Sequence, residues 1–318
     1  MKIVVGPDIG DSTADKLKSE FPEVDFVAAS QASDLGATAQ DADAYLGRIS
    51  RDAFLAARPS LRWVHSSGAG IETMAAIPEL VESDVTLTNT RGGHATCIAE
   101  HAFAMLLALT RHIVLLAEDQ RQRVWRRAEV SSGMRELSGM TMVVVGAGNI
   151  GRAIARRAVA FEMRVLGIDV HPGEPLAGVE AIWPPERLDE ALAHADVLVV
   201  AAPQTAATRG LIDARRIALL LPDAYVIVVS RGGIVDEVAL AAGLRDGKIA
   251  GAGLDVFATE PLPADDPIWD APNLLVSPHC SGGSRQTRER VWEITRDNVR
   301  RFIAGEPLVN LCDKHAGF

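Results

Sequence analysis

The segment Gly146-Ala-Gly148-Asn149-Ile150-Gly151 sets three glycines at G-x-G-x-x-G spacing, directly after the apolar run 141–145. Each glycine has its own physical purpose. Gly146 permits a tight turn, Gly148 lets backbone approach a pyrophosphate, and Gly151 lets a helix pack closely on a strand. N–H groups at the helix start, where Asn149 and Ile150 fall, then hold phosphate oxygens with the help of the helix dipole. The pattern alone is a weak signal for a ligand. It gains weight from Asp169, which ends the next apolar run about 20 residues on, where a carboxylate accepts bonds from both adenosine ribose hydroxyls. An acid there repels a 2′-phosphate, which favours NAD (NADH) over NADP. The competing reading makes Asp169 a turn former ahead of His171-Pro172.

Three later segments hold an arginine, a glutamate and a histidine beside turn residues. They are Arg231 in Ser-Arg-Gly-Gly, Glu260 in Thr-Glu-Pro-Leu-Pro, and His279 in Ser-Pro-His-Cys-Ser-Gly-Gly. Singly, each is accounted for by a solvated charge or a structural turn. Jointly they are the parts that hydride chemistry on a carbonyl requires: a proton donor (His279), a group that tunes it (Glu260) and a cation for an anionic substrate (Arg231).

The elements that must position these groups follow from the apolar pattern. Short apolar runs alternate with amphipathic stretches, as in βαβ units around a parallel sheet. Strands are expected at 2–5, 25–28, 44–46, 63–65 and 86–88, with helices at 13–20 and 51–58 between them. A long helical stretch is expected over 96–123, too long for one simple surface helix and rich in Ala, Leu and His. A second series of strands is expected at 141–145, 164–168, 197–201, 225–229, 251–256 and 274–276, and a terminal helix over 284–303. In an open α/β sheet the loops beyond the carboxyl ends of strands form the ligand site, so Arg231, Glu260 and His279 can converge there.

Bulk properties narrow the class. A chain of 318 residues exceeds what one core supports, so two domains are expected. The net charge of −10 argues against a nucleic-acid partner, which needs clustered Lys and Arg. Cys97, Cys280 and Cys312 have neither paired nor metal-ligand spacing, which points to a reducing compartment with no disulfide framework and no metal. No apolar run reaches the length of a membrane span or a signal-peptide core, so the chain reads as soluble and cytoplasmic, with no membrane partner.

The stretches 231–240 (R-G-G-I-V-D-E-x-A-L), 251–263 (G-x-G-L-D-V-F-x-x-E-P-L-P) and 277–282 (S-P-H-x-x-G) join Gly146 to Gly151, Ala99-Glu-His101 and Ser67-Gly-Ala-Gly70. Together they resemble the D-isomer-specific 2-hydroxyacid dehydrogenase family over nearly the whole chain. The resemblance implies an α/β protein in which a Rossmann-type doubly wound parallel sheet, residues 99–279, binds NAD. That domain is inserted into a flavodoxin-like substrate domain formed by residues 1–98 and 280–318. The long helix would help to form a homodimer.

The resemblance also implies roles. Arg231 would hold the substrate carboxylate and polarise its carbonyl, and His279 would be the acid/base. Glu260 would hydrogen-bond His279 and favour its imidazolium. Ser67, Gly68, Ala69 and Gly70 would offer backbone N–H groups to the carboxylate. Asp255 would contact the nicotinamide carboxamide, while Pro203, Thr208, Ser230 and Gly282 would line the cofactor. The partner is then a small 2-oxo or 2-hydroxy acid, with glyoxylate and hydroxypyruvate as leading examples. Two departures stand out: Val228 occupies a position where the family often has Asn, and Ser66 one where phosphoglycerate enzymes usually place Arg. The second disfavours a phosphorylated substrate, although Arg48 could assist one. Formate enzymes pair the histidine with Gln, so Glu260 argues against formate. Phosphite dehydrogenase-like chemistry and an NAD-sensing corepressor are the rival readings.

Overall fold

The computed structural model describes residues 1–29, 35–173 and 176–317. The chain divides into two compact units, one formed by Met1–His94 with Ser284–Phe318 and the other by Ala95–Gly283. The first unit contains strands β1 (Lys2–Val5), β2 (Asp25–Ala28), β3 (Ala44–Leu46), β4 (Trp63–His65) and β5 (Thr86–Thr88). They pair in parallel in the order β2-β1-β3-β4-β5, the flavodoxin-like arrangement. The second unit contains β6 (Thr141–Val145), β7 (Arg164–Ile168), β8 (Ala181–Trp183), β9 (Val197–Val200), β10 (Ala224–Val228), β11 (Ile249–Leu254) and β12 (Leu274–Val276). Their order, β12-β11-β10-β9-β6-β7-β8, is the doubly wound Rossmann order with one added edge strand.

Both sheets are buried on both faces, which is why their strands read as unbroken apolar runs. Val143 and Val145 enter one core of the second unit, while Met142 and Val144 enter the other. In the first unit, Val4, Tyr45 and Val64 face one cluster, and Ile3, Leu46 and Trp63 face a second. A period of two thus sorts each strand between two layers of helices.

Two expectations need correction. The helical stretch expected over 96–123 is broken: Ala95–Thr110 and Ile113–Gln122 meet at a 62° bend. His112 sits there in the left-handed region (φ 53°), which a continuous right-handed helix cannot contain. The second sheet also has a strand that the apolar pattern did not show. Strand β8 is three residues long and only half-buried, so it lacks the signal of the central strands. No single helix among the described residues is long and apolar enough to cross a membrane.

The C-terminal helix Arg285–Ala304 belongs to the first unit. Ser284 caps it, accepting from Thr287 N at 3.0 Å, and Val299 packs with Trp292, Phe302 and Ile303 on the β1–β3–β4 side. A buried polar chain ties it further. Trp63 Nε1 donates to Thr88 Oγ1 at 2.8 Å, so the Thr88 hydroxyl donates onward to His65 Nδ1 at 2.8 Å. The opposite ring nitrogen, Nε2, faces Thr295 Oγ1 at 3.0 Å, and Thr295 in turn donates to Val291 O. This sequence of donors leaves His65 neutral with its proton on Nε2.

Burial lowers the His65 pKa from 6.5 to about 3. A depressed folded-state value means that the unfolded chain binds the extra proton, so stability is present above pH 6.5 and is lost as pH falls. The expected loss between pH 6.5 and 5 is about 2 kcal/mol, at ~1.36 kcal/mol per pH unit. Denaturant unfolding of His65→Gln across that range should show a flatter slope with pH. A slope equal to that of the unaltered chain would remove His65 as the cause.

Candidate functional site

Because every strand of the second sheet runs the same way, all its carboxyl ends lie on one edge. That edge carries the glycine loop after β6, Asp169 after β7, Pro203 after β9, Arg231 after β10, Asp255 and Glu260 after β11, and His279 after β12.

The three glycines differ in what demands them. Gly146 has φ +95°, and a Cβ there would lie 2.5 Å from Ala202 N. A Cβ on Gly151 would lie 1.9 Å from Gly146 O, so the helix Asn149–Ala160 approaches its strand only through glycine. At Gly148 the backbone is extended and nothing lies within 4 Å of a Cβ. No protein atom requires glycine there, which fits a position kept bare for a ligand. Gly148 is also the N-cap of that helix without a side-chain cap, so the first-turn N–H groups are open to phosphate oxygens.

Asp169 serves both the loop and the turn. One oxygen accepts from Ala147 N at 2.6 Å and the other from His171 N at 2.8 Å. The lone pairs that remain could accept ribose hydroxyls. Arg152 braces the same region, donating to Ala147 O at 2.9 Å and Pro172 O at 3.3 Å. Pro203 and Thr208 are brought together by a 2.7 Å bond from Thr208 Oγ1 to Pro203 O. Ser230 is buried, and its hydroxyl has no partner among the described residues.

Asp255 is fully buried. Its carboxylate accepts from Ser277 Oγ (2.5 Å), Cys280 N (3.0 Å) and Ser281 N (3.0 Å), and its carbonyl accepts His279 N at 2.8 Å. Ser277 Oγ in turn lies 2.9 Å from His101 Nε2. His101, Asp255 and Cys280 offer ligand-type atoms within 4.8 Å of one another. The Asp255 oxygens already face O–H and N–H donors, the surroundings of a hydrogen-bonded anion rather than of a metal ligand.

This loop presents His279 in the left-handed region (φ 50°), a sparsely populated conformation for a residue with a side chain. Its Nδ1 meets Glu260 Oε2 at 2.7 Å, while Glu260 Oε1 accepts from Phe257 N at 2.9 Å. A carboxylate on Nδ1 holds the proton there and leaves Nε2 as the working nitrogen. The pair is partly open to solvent, 45 % for His279 and 34 % for Glu260. Arg231 donates from Nη1 to Ser230 O at 2.7 Å. The next residue, Gly232, touches the neighbouring loop so closely that a Cβ would lie 1.9 Å from the Phe257 carbonyl. Gln204 Nε2 donates to Gly232 O at 2.6 Å.

In the first unit, Ser67–Gly70 follow β4. Every carbonyl of the loop is occupied: Thr90 Oγ1 donates to Ser67 O, Thr90 N to Gly68 O, Asn89 Nδ2 to Ala69 O and Ser66 Oγ to Gly70 O. The N–H groups of Ser67, Ala69 and Gly70 have no acceptor among the described residues, an arrangement chemically suited to an anion. Ser66, buried, braces the turn by accepting from Gly68 N at 3.3 Å. Ser67 Oγ donates to Asp8 Oδ2 at 2.5 Å, and the Arg48 guanidinium lies 3.6 Å from where a Gly68 Cβ would be.

The residues singled out in the sequence therefore occupy strand ends in their respective units. Composition and spacing did not single out Ser277, Gln204 or Glu237, although Ser277 and Glu237 lie inside the quoted stretches. Their hydrogen bonds reach other loops, and no local pattern records such bonds.

Residues 103–281 match the family model for the D-isomer specific 2-hydroxyacid dehydrogenase NAD binding domain. The chain is 34 % identical to D-3-phosphoglycerate dehydrogenase of Mycobacterium leprae over 310 residues, 96 % of this chain and 57 % of that protein. It thus spans little more than half the length of that curated relative. It is 36 % identical to (S)-sulfolactate dehydrogenase of Chromohalobacter salexigens over 256 residues, 80 % and 82 % of the two chains. Among solved structures, a D-isomer specific 2-hydroxyacid dehydrogenase of Xanthobacter autotrophicus, in complex with NADPH and MES, superposes with a TM-score of 0.85 at 31 % identity over 99 % of each chain. With these matches and the two parallel sheets described above, the chain belongs to the D-isomer specific 2-hydroxyacid dehydrogenase family.

Proposed function

We propose that this protein interconverts a small D-2-hydroxy acid and its 2-oxo acid with a nicotinamide cofactor. The observation that carries the reading is the 2.7 Å contact between His279 Nδ1 and Glu260 on the same sheet edge as the glycine loop. Bound there, the cofactor supplies or takes the hydride. Gly146, Gly148 and Gly151, with the N–H groups of Asn149 and Ile150, hold its pyrophosphate, and Asp169 its adenosine ribose. Pro203, Thr208, Ser230, Asp255 and Gly282 line the rest of its site, the orphaned Ser230 hydroxyl being the clearest group in need of a partner.

In the direction of reduction, His279 Nε2 donates a proton to the 2-oxo oxygen, and Glu260 stabilises the imidazolium before transfer. Arg231 pairs with the substrate carboxylate and polarises the carbonyl. In the first unit, the N–H groups of Ser67, Ala69 and Gly70 are offered to a substrate carboxylate, whereas that of Gly68, expected to join them, is already held by Ser66 Oγ. In oxidation His279 takes the proton back. The acid at Asp169 and the engagement of Arg152 with two backbone carbonyls favour NAD over NADP.

The helix Ile113–Gln122 leaves Ile113, Val114, Leu115 and Leu116 exposed, and Trp125 beyond it is 92 % exposed. Contiguous exposed apolar residues of this kind mark an interface. We assign the patch to a homodimer contact, the second copy burying the same surface about a two-fold axis.

Four measurements test these readings. With NADH and a panel of 2-oxo acids that includes phosphorylated and sulfonated members, His279→Gln should cut turnover by roughly 10²–10⁴-fold while NADH still binds. Unchanged turnover would remove His279 as the acid/base. Gly148→Ala should weaken NADH binding at least ~10-fold without lowering the melting temperature, since the added Cβ meets no protein atom. NADPH should be the poorer cosubstrate, and equal use of both would overturn the cofactor preference. Sedimentation of Trp125→Asp should shift the chain toward monomer; an unchanged size distribution would place any dimer contact elsewhere.

A further inference from the structure

Glu237 heads the helix Glu237–Arg245, whose N-cap is Asp236, accepting from Ala239 N at 2.9 Å. An acid in a first helical turn is ordinarily accounted for by the helix dipole. Here the carboxylate does something else. Its Oε1 accepts from Ala258 N at 2.7 Å and, more weakly, from Gly233 N at 3.5 Å. Gly233 lies in the turn that carries Arg231, and Ala258 in the loop that carries Glu260. The two backbones already touch, since a Cβ on Gly232 would overlap the Phe257 carbonyl. Consecutive N–H groups of the second loop are therefore held by two carboxylates: Phe257 N by Glu260 at 2.9 Å and Ala258 N by Glu237.

We propose that Glu237 is a positioning residue that clasps the Arg231 turn to the Glu260 loop and so aligns the substrate-binding cation with the Glu260–His279 pair. The role rests on the proposed function. The carboxylate is half-buried, and burial pushes its pKa up while the two amide donors hold it down. A partly desolvated acid with its hydrogen bonds on other loops costs stability unless those bonds are made, so the clasp is built in rather than incidental. Glu237 touches neither substrate nor cofactor in this account. It acts through Glu260 and Arg231.

The test uses Glu237→Ala, Glu237→Gln, Glu260→Gln and the Glu237→Ala/Glu260→Gln pair in the whole chain. It reads melting temperature, NADH affinity, kcat/KM, and the low-field imidazole N–H resonance of His279, assigned by its loss in His279→Gln. Glu237→Ala should keep NADH affinity, lose kcat/KM by roughly 10–100-fold, the scale of a ~1 Å misplacement, and weaken the low-field signal. Glu237→Gln keeps a carbonyl oxygen for Ala258 N and should recover most of the rate and the signal. Adding Glu237→Ala to Glu260→Gln should cost less than adding it to the unaltered chain, because the two act in one network. An unchanged signal and rate in Glu237→Ala would overturn the proposal. So would a loss that is additive with Glu260→Gln and matched by equal losses in NADH affinity and melting temperature. If the unaltered chain turns over no 2-oxo acid, the proposed function fails, and the His279 resonance in the two Glu237 variants still decides the clasp.

Discussion

A buried carboxylate organises the working edge of the second unit. Asp255 has no exposed surface, and an anion in that position is tolerated only if donors surround it. The donors it takes are Ser277 Oγ, Cys280 N and Ser281 N, which brackets His279 from both sides. The left-handed backbone at His279 costs free energy, and the bonds to Asp255 hold it there. With the backbone set, Nδ1 falls on Glu260, and the ring's orientation follows from a bond made several residues away.

The same economy of means recurs along the edge. Glycines at 146, 151 and 232 exist because protein backbone passes where a Cβ would be, whereas Gly148 has open space beside it. Steric demand thus separates the glycines that the fold needs from the one that no protein atom requires. In the first unit the loop Ser67–Gly70 is fixed by hydrogen bonding instead: its carbonyls are tied by Thr90, Asn89 and Ser66, and the N–H groups of Ser67, Ala69 and Gly70 have no acceptor among the described residues.

Much of this was legible in the residues. Runs such as Met-Val-Val-Val at 142–145 are apolar on both alternating sets, which only a two-sided buried strand requires, and every central strand lies within two residues of its expected bounds. The exceptions share a cause. Strand β8 has three half-buried residues and no run to detect, and the break at His112 lies in a segment whose composition suits a helix throughout. Helix-favouring composition is a sum over a window, while a bend is a property of one backbone residue. The same limit applies to Asp169, which forms the turn through His171 N and also accepts from Ala147 N in the glycine loop, a bond that no local pattern records.

By itself the sequence determined the class of elements, the two parallel sheets, the glycine fingerprint and the presence of an arginine, a glutamate and a histidine after strands. Those properties depend on local periodicity and residue type, which a linear string records. Only the tertiary structure decided that His279 meets Glu260 through Nδ1, that Asp255 is held by the 277–281 loop, and that Glu237 reaches across to Ala258. Each of these is a contact between segments brought together by the parallel order of β10, β11 and β12, and its geometry exists only once those strands are paired.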